Sequence, residues 1–304
     1  MVPTFTALVK QGLQAIGHYR RALAQTTLPG VAVLCYHGVR DDDMAPGTIP
    51  FQYLHIPAST LESHCRLIRE CCDPISLDDW RAASAGRAQL PKRPVLITFD
   101  DGYRSVLTKG VPILTTYGLP ASVFVCTWPM GTRRMLWFDH IGARDGENAV
   151  EGWKSRDYEE WLGRCADTPQ LDDSDPRALM TTDELRTLAD IDGIEIGGHT
   201  SRHPILSRAP AARQREEIEQ NIQSIQDWTG RPVRTFAYPN GRPGFDYNTD
   251  STSIVRDAGI DAAFTTHPDF ARAGEPPLER SRFLLLDDTS DAELAHRLTY
   301  SWPR

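Results

Sequence analysis

Short, largely apolar runs punctuate this chain at residues 31–35, 75–77, 95–99, 121–125, 193–196, 260–266 and 282–286, and residues 234–241 read as a further strand and turn. The run at 95–99 shows no polar alternation, which is how a parallel strand covered on both faces reads. Between the runs the apolar spacing becomes helical. Phe5, Leu8, Val9, Leu13, Ile16, Tyr19 and Leu23 predict one amphipathic helix over 4–25, more suited to packing on the domain than to lying on lipid. Ser59 to Glu62 and Thr181 to Glu184 have capping-box spacing, predicting helix starts there, the first helix running to about residue 72. Further helices are predicted at 105–117, after Asp78-Asp79-Trp80, at 216–229, where the charge reads as a solvated face, near 251–257 and at 291–298. Strand, helix and strand in succession predict crossovers on a parallel sheet. Residues 127–176 break the rhythm and read as an irregular insertion at the active end, in which Met135, Leu136, Trp137 and Phe138 look buried.

The candidate chemistry sits where the apolar runs stop. Residues 95–99 lead directly into Asp100-Asp101-Gly102, and the carboxyl ends of strands are where α/β folds place their sites. Neighbouring strand residues point to opposite faces, so the two acids are expected to do different jobs, one holding a metal and the other taking a proton. Residues 193–196 lead into Gly197-Gly198-His199, with His203 four residues on. On a helical turn that spacing places both imidazoles on one face, within reach of a single divalent ion. One carboxylate and two histidines leave coordination positions open for water and substrate, which describes a catalytic site. Tyr36-His37-Gly38 follows the first strand, placing His37 at the same end.

Thr98-Phe99-Asp100-Asp101-Gly102-Tyr103 followed by His199-Thr200-x-x-His203 resembles the polysaccharide deacetylase family, the NodB-homology carbohydrate esterases, over residues 31–286. The resemblance implies a distorted (β/α) barrel and metal-dependent removal of acetyl groups from sugars. It implies Asp100 as general base and Asp101, His199 and His203 as metal ligands, with zinc the expected ion and other divalent transition metals also admitted by the ligand set. Such an ion lowers the pKa of its water to about 7 and polarises a carbonyl. On this basis residues 31–304 form the catalytic domain and residues 1–30 an amino-terminal helix.

The third motif departs from the family pattern. Pro239-Asn240-Gly241 has Asn240 where tyrosine is usual and Ala237 near the usual arginine, so a backbone amide around Asn240 is the expected oxyanion donor. The arginine that orients the base then has to come from elsewhere, Arg234 or Arg282. The general acid that many members supply after the last strand is missing, because 282–288 contains no histidine; His37 or metal-bound water is left for that role.

Composition narrows the setting. At 304 residues, net charge −8 and 40% hydrophobic, the chain can bury one large core, and nucleic acid is not an expected partner. Cys35, Cys65, Cys71, Cys72, Cys126 and Cys165 follow no disulfide framework and read as reduced thiols. With no membrane-length apolar segment and no export signal, a cytoplasmic protein is expected, peripheral association with a membrane remaining open. The expected substrate is an N-acetylated sugar or glycolipid precursor. The alternatives are a sugar-binding module with an idle site and a hydrolase of a non-sugar amide.

Overall fold

The structure is a computed structural model and describes residues 5–165 and 167–300. Its strands are β1 (Ala32–Tyr36), β2 (Gly38–Arg40), β3 (His55–Pro57), β4 (Asp73–Pro74), β5 (Pro94–Phe99), β6 (Ala121–Val125), β7 (Ile194–Gly198), β8 (Thr235–Ala237), β9 (Ala262–Phe264) and β10 (Phe283–Leu284). One sheet runs β10-β1-β5-β6-β7-β8-β9, with β4 joining the start of β5, and every pairing in it is parallel. β2 and β3 form a separate parallel ribbon. All residues of β1, β5 and β6 are buried, so the absence of polar alternation in the sequence has its cause in cover on both faces. The two edges approach each other where Phe264 bridges Arg280, shortly before β10. Thr265 donates to the Arg280 carbonyl at 2.9 Å and Arg280 to that of Ala263 at 2.8 Å. The sheet is thereby curled into a distorted (β/α) half-barrel. Since the strands are parallel, all their carboxyl ends lie on one rim.

Several elements differ from their sequence expectation. The amino-terminal helix is two, Phe5–Ala15 and His18–Gln25, because Gly17 takes a left-handed conformation (φ 70°); residue 4 lies outside the described residues. Tyr19 and Leu23 are buried, whereas Leu8, Val9 and Ile16 are exposed. The pair packs on Asp291–Thr299, where Gln14 donates to Asp291 at 3.1 Å and Lys10 pairs with Glu293. The helix Ala58–Cys71 starts one residue before the expected cap, so Ser59 falls inside its first turn and donates to Asp42 instead, at 2.7 Å. The strand expected at 75–77 lies at β4, and Ser76 forms a capping box with Asp79 to open Leu77–Ser84. The Thr181 and Glu184 capping box forms as its spacing predicts.

The stretch read as irregular is mostly helical: Thr127–Thr132, Trp137–Asp145, Glu147–Lys154 and Tyr158–Cys165. Each is shorter than three turns, and glycines and Pro129 inside them dilute the periodicity that would announce a helix. Met135, Leu136, Trp137 and Phe138 are buried, as their composition suggests. Of residues 282–286 only Phe283–Leu284 pair as a strand. Among the described residues no helix is long and apolar enough to cross a membrane.

Candidate active site

Phe99 ends β5, and the Asp100 amide continues the ladder by donating to the Tyr36 carbonyl at 2.9 Å. The chain then turns through two left-handed residues, Asp101 (φ 73°) and Gly102 (φ 90°). Aspartate tolerates that region better than larger side chains. A Cβ on Gly102 would lie 3.1 Å from Val125 Cγ1, so glycine answers both the backbone and the space. This turn sends the two carboxylates to different partners. Arg282 Nη1 donates to Asp100 Oδ1 and Nη2 to Oδ2, each at 2.7 Å, while its Nε donates to the Thr265 carbonyl at 2.9 Å. The pair is fully buried. Burial alone would raise the Asp100 pKa; the Arg282 charge, followed by His199, overrides it and holds the carboxyl well below the usual range. Arg282 is therefore the arginine that orients Asp100. Arg234 stands before β8, at the opposite rim, and pairs with Asp261 on the surface.

His199 and His203 follow β7 in a loop, not on the helical turn their spacing suggests, with Thr200 (φ 64°) and His203 (φ 62°) in left-handed conformations. Such a backbone persists only where its surroundings over-determine it. Here they do, through the helix Ala211–Thr229. Buried Asn221 accepts from the His199 amide at 3.0 Å and donates to the carbonyls of Thr200 at 2.7 Å and Val125 at 2.9 Å. Buried Glu217, one turn earlier, accepts from the Arg202 amide at 2.8 Å and from Tyr158 at 2.7 Å. Trp137 Nε1 donates to the His203 carbonyl at 2.8 Å. A Cβ on Gly198 would come within 2.6 Å of Asn221 Oδ1, so Gly198 makes room for this anchor. The charge of this helix hid these groups; the signal was a polar residue at each of Gln214, Glu217 and Asn221, all buried along one face.

The loop brings together the three expected metal ligands. Asp101 Oδ1 lies 3.4 Å from His199 Nε2 and 3.5 Å from His203 Nε2. One ligand atom from each lies within 4.8 Å of the others. Asp101 Oδ1 is buried and has no hydrogen-bond partner, a costly state for a carboxylate unless a cation takes it up. His199 Nδ1 donates to the Ala237 carbonyl at 2.7 Å, which leaves its Nε2 lone pair facing Asp101. Burial pushes His203 down to about 3, keeping it neutral, the form in which imidazole ligates. Burial also opposes the charge on His199, but the Asp101 and Asp100 carboxylates outweigh it and raise that pKa. The donor set therefore fits a divalent ion. A second grouping, Cys35 with His37 and Asp100, fits less well: both Asp100 oxygens are engaged by Arg282, and burial holds the Cys35 thiol protonated.

A cavity of about 210 Å³ opens onto Asp100, Asp101, His199 and His203. His37 lines it, with Nδ1 buried and unpartnered. Asn240 lines it too, in a left-handed conformation (φ 57°) fixed by Thr266 Oγ1 donating to its carbonyl at 2.6 Å. Its side-chain Nδ2 is buried without a partner. Apart from Arg234, every candidate residue read from the sequence thus reaches one cavity or the first layer behind it. The sequence reading did not find Phe51, Tyr53, Phe138, Glu151, Lys154 and Thr266 among the lining residues. The first five come from loops and short helices whose periodicity carries no such message.

A carboxylate clamped by a buried arginine, beside a carboxylate and histidine cluster on the carboxyl rim of a parallel half-barrel, defines an α/β-barrel protein with a candidate metal site in its rim. The sequence profile of polysaccharide deacetylases matches residues 87–263, more than half of the chain, and the chain belongs to that family. It is similar to the poly-beta-1,6-N-acetyl-D-glucosamine N-deacetylase of Escherichia coli (strain K12), 31% identical over 93 residues. That match covers 30% of this chain and only 13% of the relative. Among solved structures, the Streptococcus pyogenes deacetylase PplD in complex with acetate superposes with a TM-score of 0.65 at 18% identity, covering 90% of this chain and 99% of that one. IcaB from Ammonifex degensii gives 0.64 at 19% identity, covering 89% and 97%. At these identities the likeness shows the fold.

Proposed function

We propose that the protein is a metal-dependent deacetylase that hydrolyses the acetamide of an N-acetylated sugar or glycolipid precursor. The observation that carries this is the separation of roles between adjacent acids: Asp100 is neutralised by Arg282, while Asp101 presents a free oxygen to two imidazoles. Asp101, His199 and His203 would hold the ion, zinc first among the candidates. When bound, such an ion polarises the acyl carbonyl and acidifies water, both of which are needed by so weakly basic a carboxylate as Asp100.

The other steps fall to the chain's own groups. Asp100, held ionised and aimed by Arg282, takes the proton from the attacking water. Asn240 offers the acyl oxygen its backbone amide and its unpartnered Nδ2 as the charge develops. His37, whose Nδ1 lacks a partner, protonates the departing amine. Phe51, Tyr53 and Phe138 give the sugar an apolar wall. The cysteines, all free, support a cytoplasmic setting.

The test is acetate release from a panel of N-acetylated sugars, free and lipid-linked, alongside metal analysis. We expect zinc-loaded protein to release acetate, and Asp100→Asn to lower kcat at least about 10²-fold while retaining its metal. Sugar binding without acetate release would instead indicate an idle binding site, and release confined to non-sugar amides would overturn the substrate class.

A further inference from the structure

Lys154 is the one side chain with a permanent positive charge among the residues lining the active cavity, and nothing in the mechanism uses it. It ends the helix Glu147–Lys154, which the chain holds against the rim. Phe51 donates its amide to Glu147 at 2.6 Å and packs edge-on against Phe138, with ring centroids 6.0 Å apart. A Cβ on Gly142 would come within 2.8 Å of Pro50, so the preceding helix Trp137–Asp145 also meets the Phe51 loop closely. Lys154 is thus placed by a fixed element.

Its electrostatic position is unusual. The side chain is only 22% exposed, and it lines the same cavity as His199 and His203. The carboxylates deeper in the cavity face other groups: both Asp100 oxygens accept from Arg282, and Asp101 faces the two imidazoles as a candidate metal ligand. What remains is Glu151, three residues back, at 2.8 Å with its side chain 68% exposed. An ion pair with so exposed a partner is weak and readily exchanged. A mostly buried ammonium in the cavity of the candidate metal ligands is stabilised more by an anion held inside the cavity than by so exposed a carboxylate.

We infer that Lys154 is a specificity-determining residue that receives an anionic group, phosphate or carboxylate, carried by the N-acetylated substrate. This rests on the deacetylase reading above. A negative substituent displaces Glu151 towards solvent and pairs with the ammonium, which fixes the sugar's orientation relative to Asp100. The selected class is then an anionic N-acetylated sugar, such as a sugar phosphate or an acidic sugar, in preference to a neutral one.

Two measurements test it. The first compares kcat/KM for acetate release from N-acetylglucosamine, its 1-phosphate, its 6-phosphate and N-acetylmuramic acid; the phosphate and carboxylate arms separate the two anions. We expect at least one anionic sugar to exceed the neutral one by 10-fold or more, chiefly through KM. Lys154→Met should collapse that ratio towards unity, and Lys154→Arg should retain part of it. A wild-type ratio near one, or a ratio that survives Lys154→Met, overturns the inference. The second measurement is calorimetric binding of the same sugars to metal-free protein, which needs no turnover. Anion preference lost in Lys154→Met supports the inference even if no acetate is released, a result that would sink only the deacetylase reading. Equal binding of neutral and anionic sugars overturns the inference whatever the activity.

Discussion

Asp100 and Arg282 depend on each other more than any other two side chains in the site. Both are buried, and among the described residues each supplies the other's only formal counter-charge within bonding distance. Breaking a buried pair from one side leaves an uncompensated charge, at a cost of about 3–5 kcal/mol, whereas removing both sides can be nearly neutral. We therefore expect Arg282→Met to lower unfolding stability by about that amount in urea, and Asp100→Asn with Arg282→Met to recover much of it. If the double variant is no more stable than Arg282→Met alone, the coupling is absent. At this scale the sequence said a great deal about Asp100, Asp101, His199 and His203, because adjacency and spacing are local. It left Arg282 tied with Arg234, since a partner 182 positions away becomes visible only once the barrel closes.

At the scale of elements, the helix Ala211–Thr229 fixes the histidine loop from behind. Asn221 touches two segments at once: the end of β6, and the histidine loop at both the His199 amide and the Thr200 carbonyl. Truncating it leaves buried backbone groups unsatisfied, at about 1–3 kcal/mol. It also releases two left-handed residues that hold the imidazoles in place. Asn221→Ala should therefore weaken zinc affinity by about 10–100-fold, the usual consequence of losing support behind a ligand, while far-ultraviolet circular dichroism stays unchanged. Unaltered affinity would assign the alignment of the histidines to the loop itself. The helix's boundaries were legible in part, but its role was not. Charge on a helix normally means solvent, and only the burial of Glu217 and Asn221 separates an anchoring face from a wet one. The same limit hid the helices between β6 and β7, whose short lengths blur periodicity.

For the molecule as a whole, pH resistance depends on histidines buried as neutral groups. His64 is the clearest, remote from the candidate metal ligands. Its Nε2 donates to the Thr289 carbonyl at 2.9 Å, so its Nδ1 accepts from the Tyr36 hydroxyl, 3.0 Å away. It thereby links β1, the helix Ala58–Cys71 and the segment before Asp291–Thr299. Burial lowers its pKa from 6.5 to about 4. The sign follows from proton counting. Above pH 6.5 neither folded nor unfolded chain carries this proton, and the contribution is fully present. Between 6.5 and 4 the unfolded chain binds the proton and the folded one does not, so stability falls as pH falls. At about 1.4 kcal/mol per pH unit the loss approaches 3 kcal/mol near pH 4. His64→Gln keeps a donor and an acceptor but cannot titrate. Its unfolding free energy should lie below that of wild type at pH 7.5, and the difference should narrow progressively down to pH 4, because only the wild type loses this term. Other titrating groups are common to both proteins and cancel in the comparison. A difference that stays constant from pH 7.5 to 4 would mean that His64 takes up its proton in the folded state as readily as in the unfolded chain.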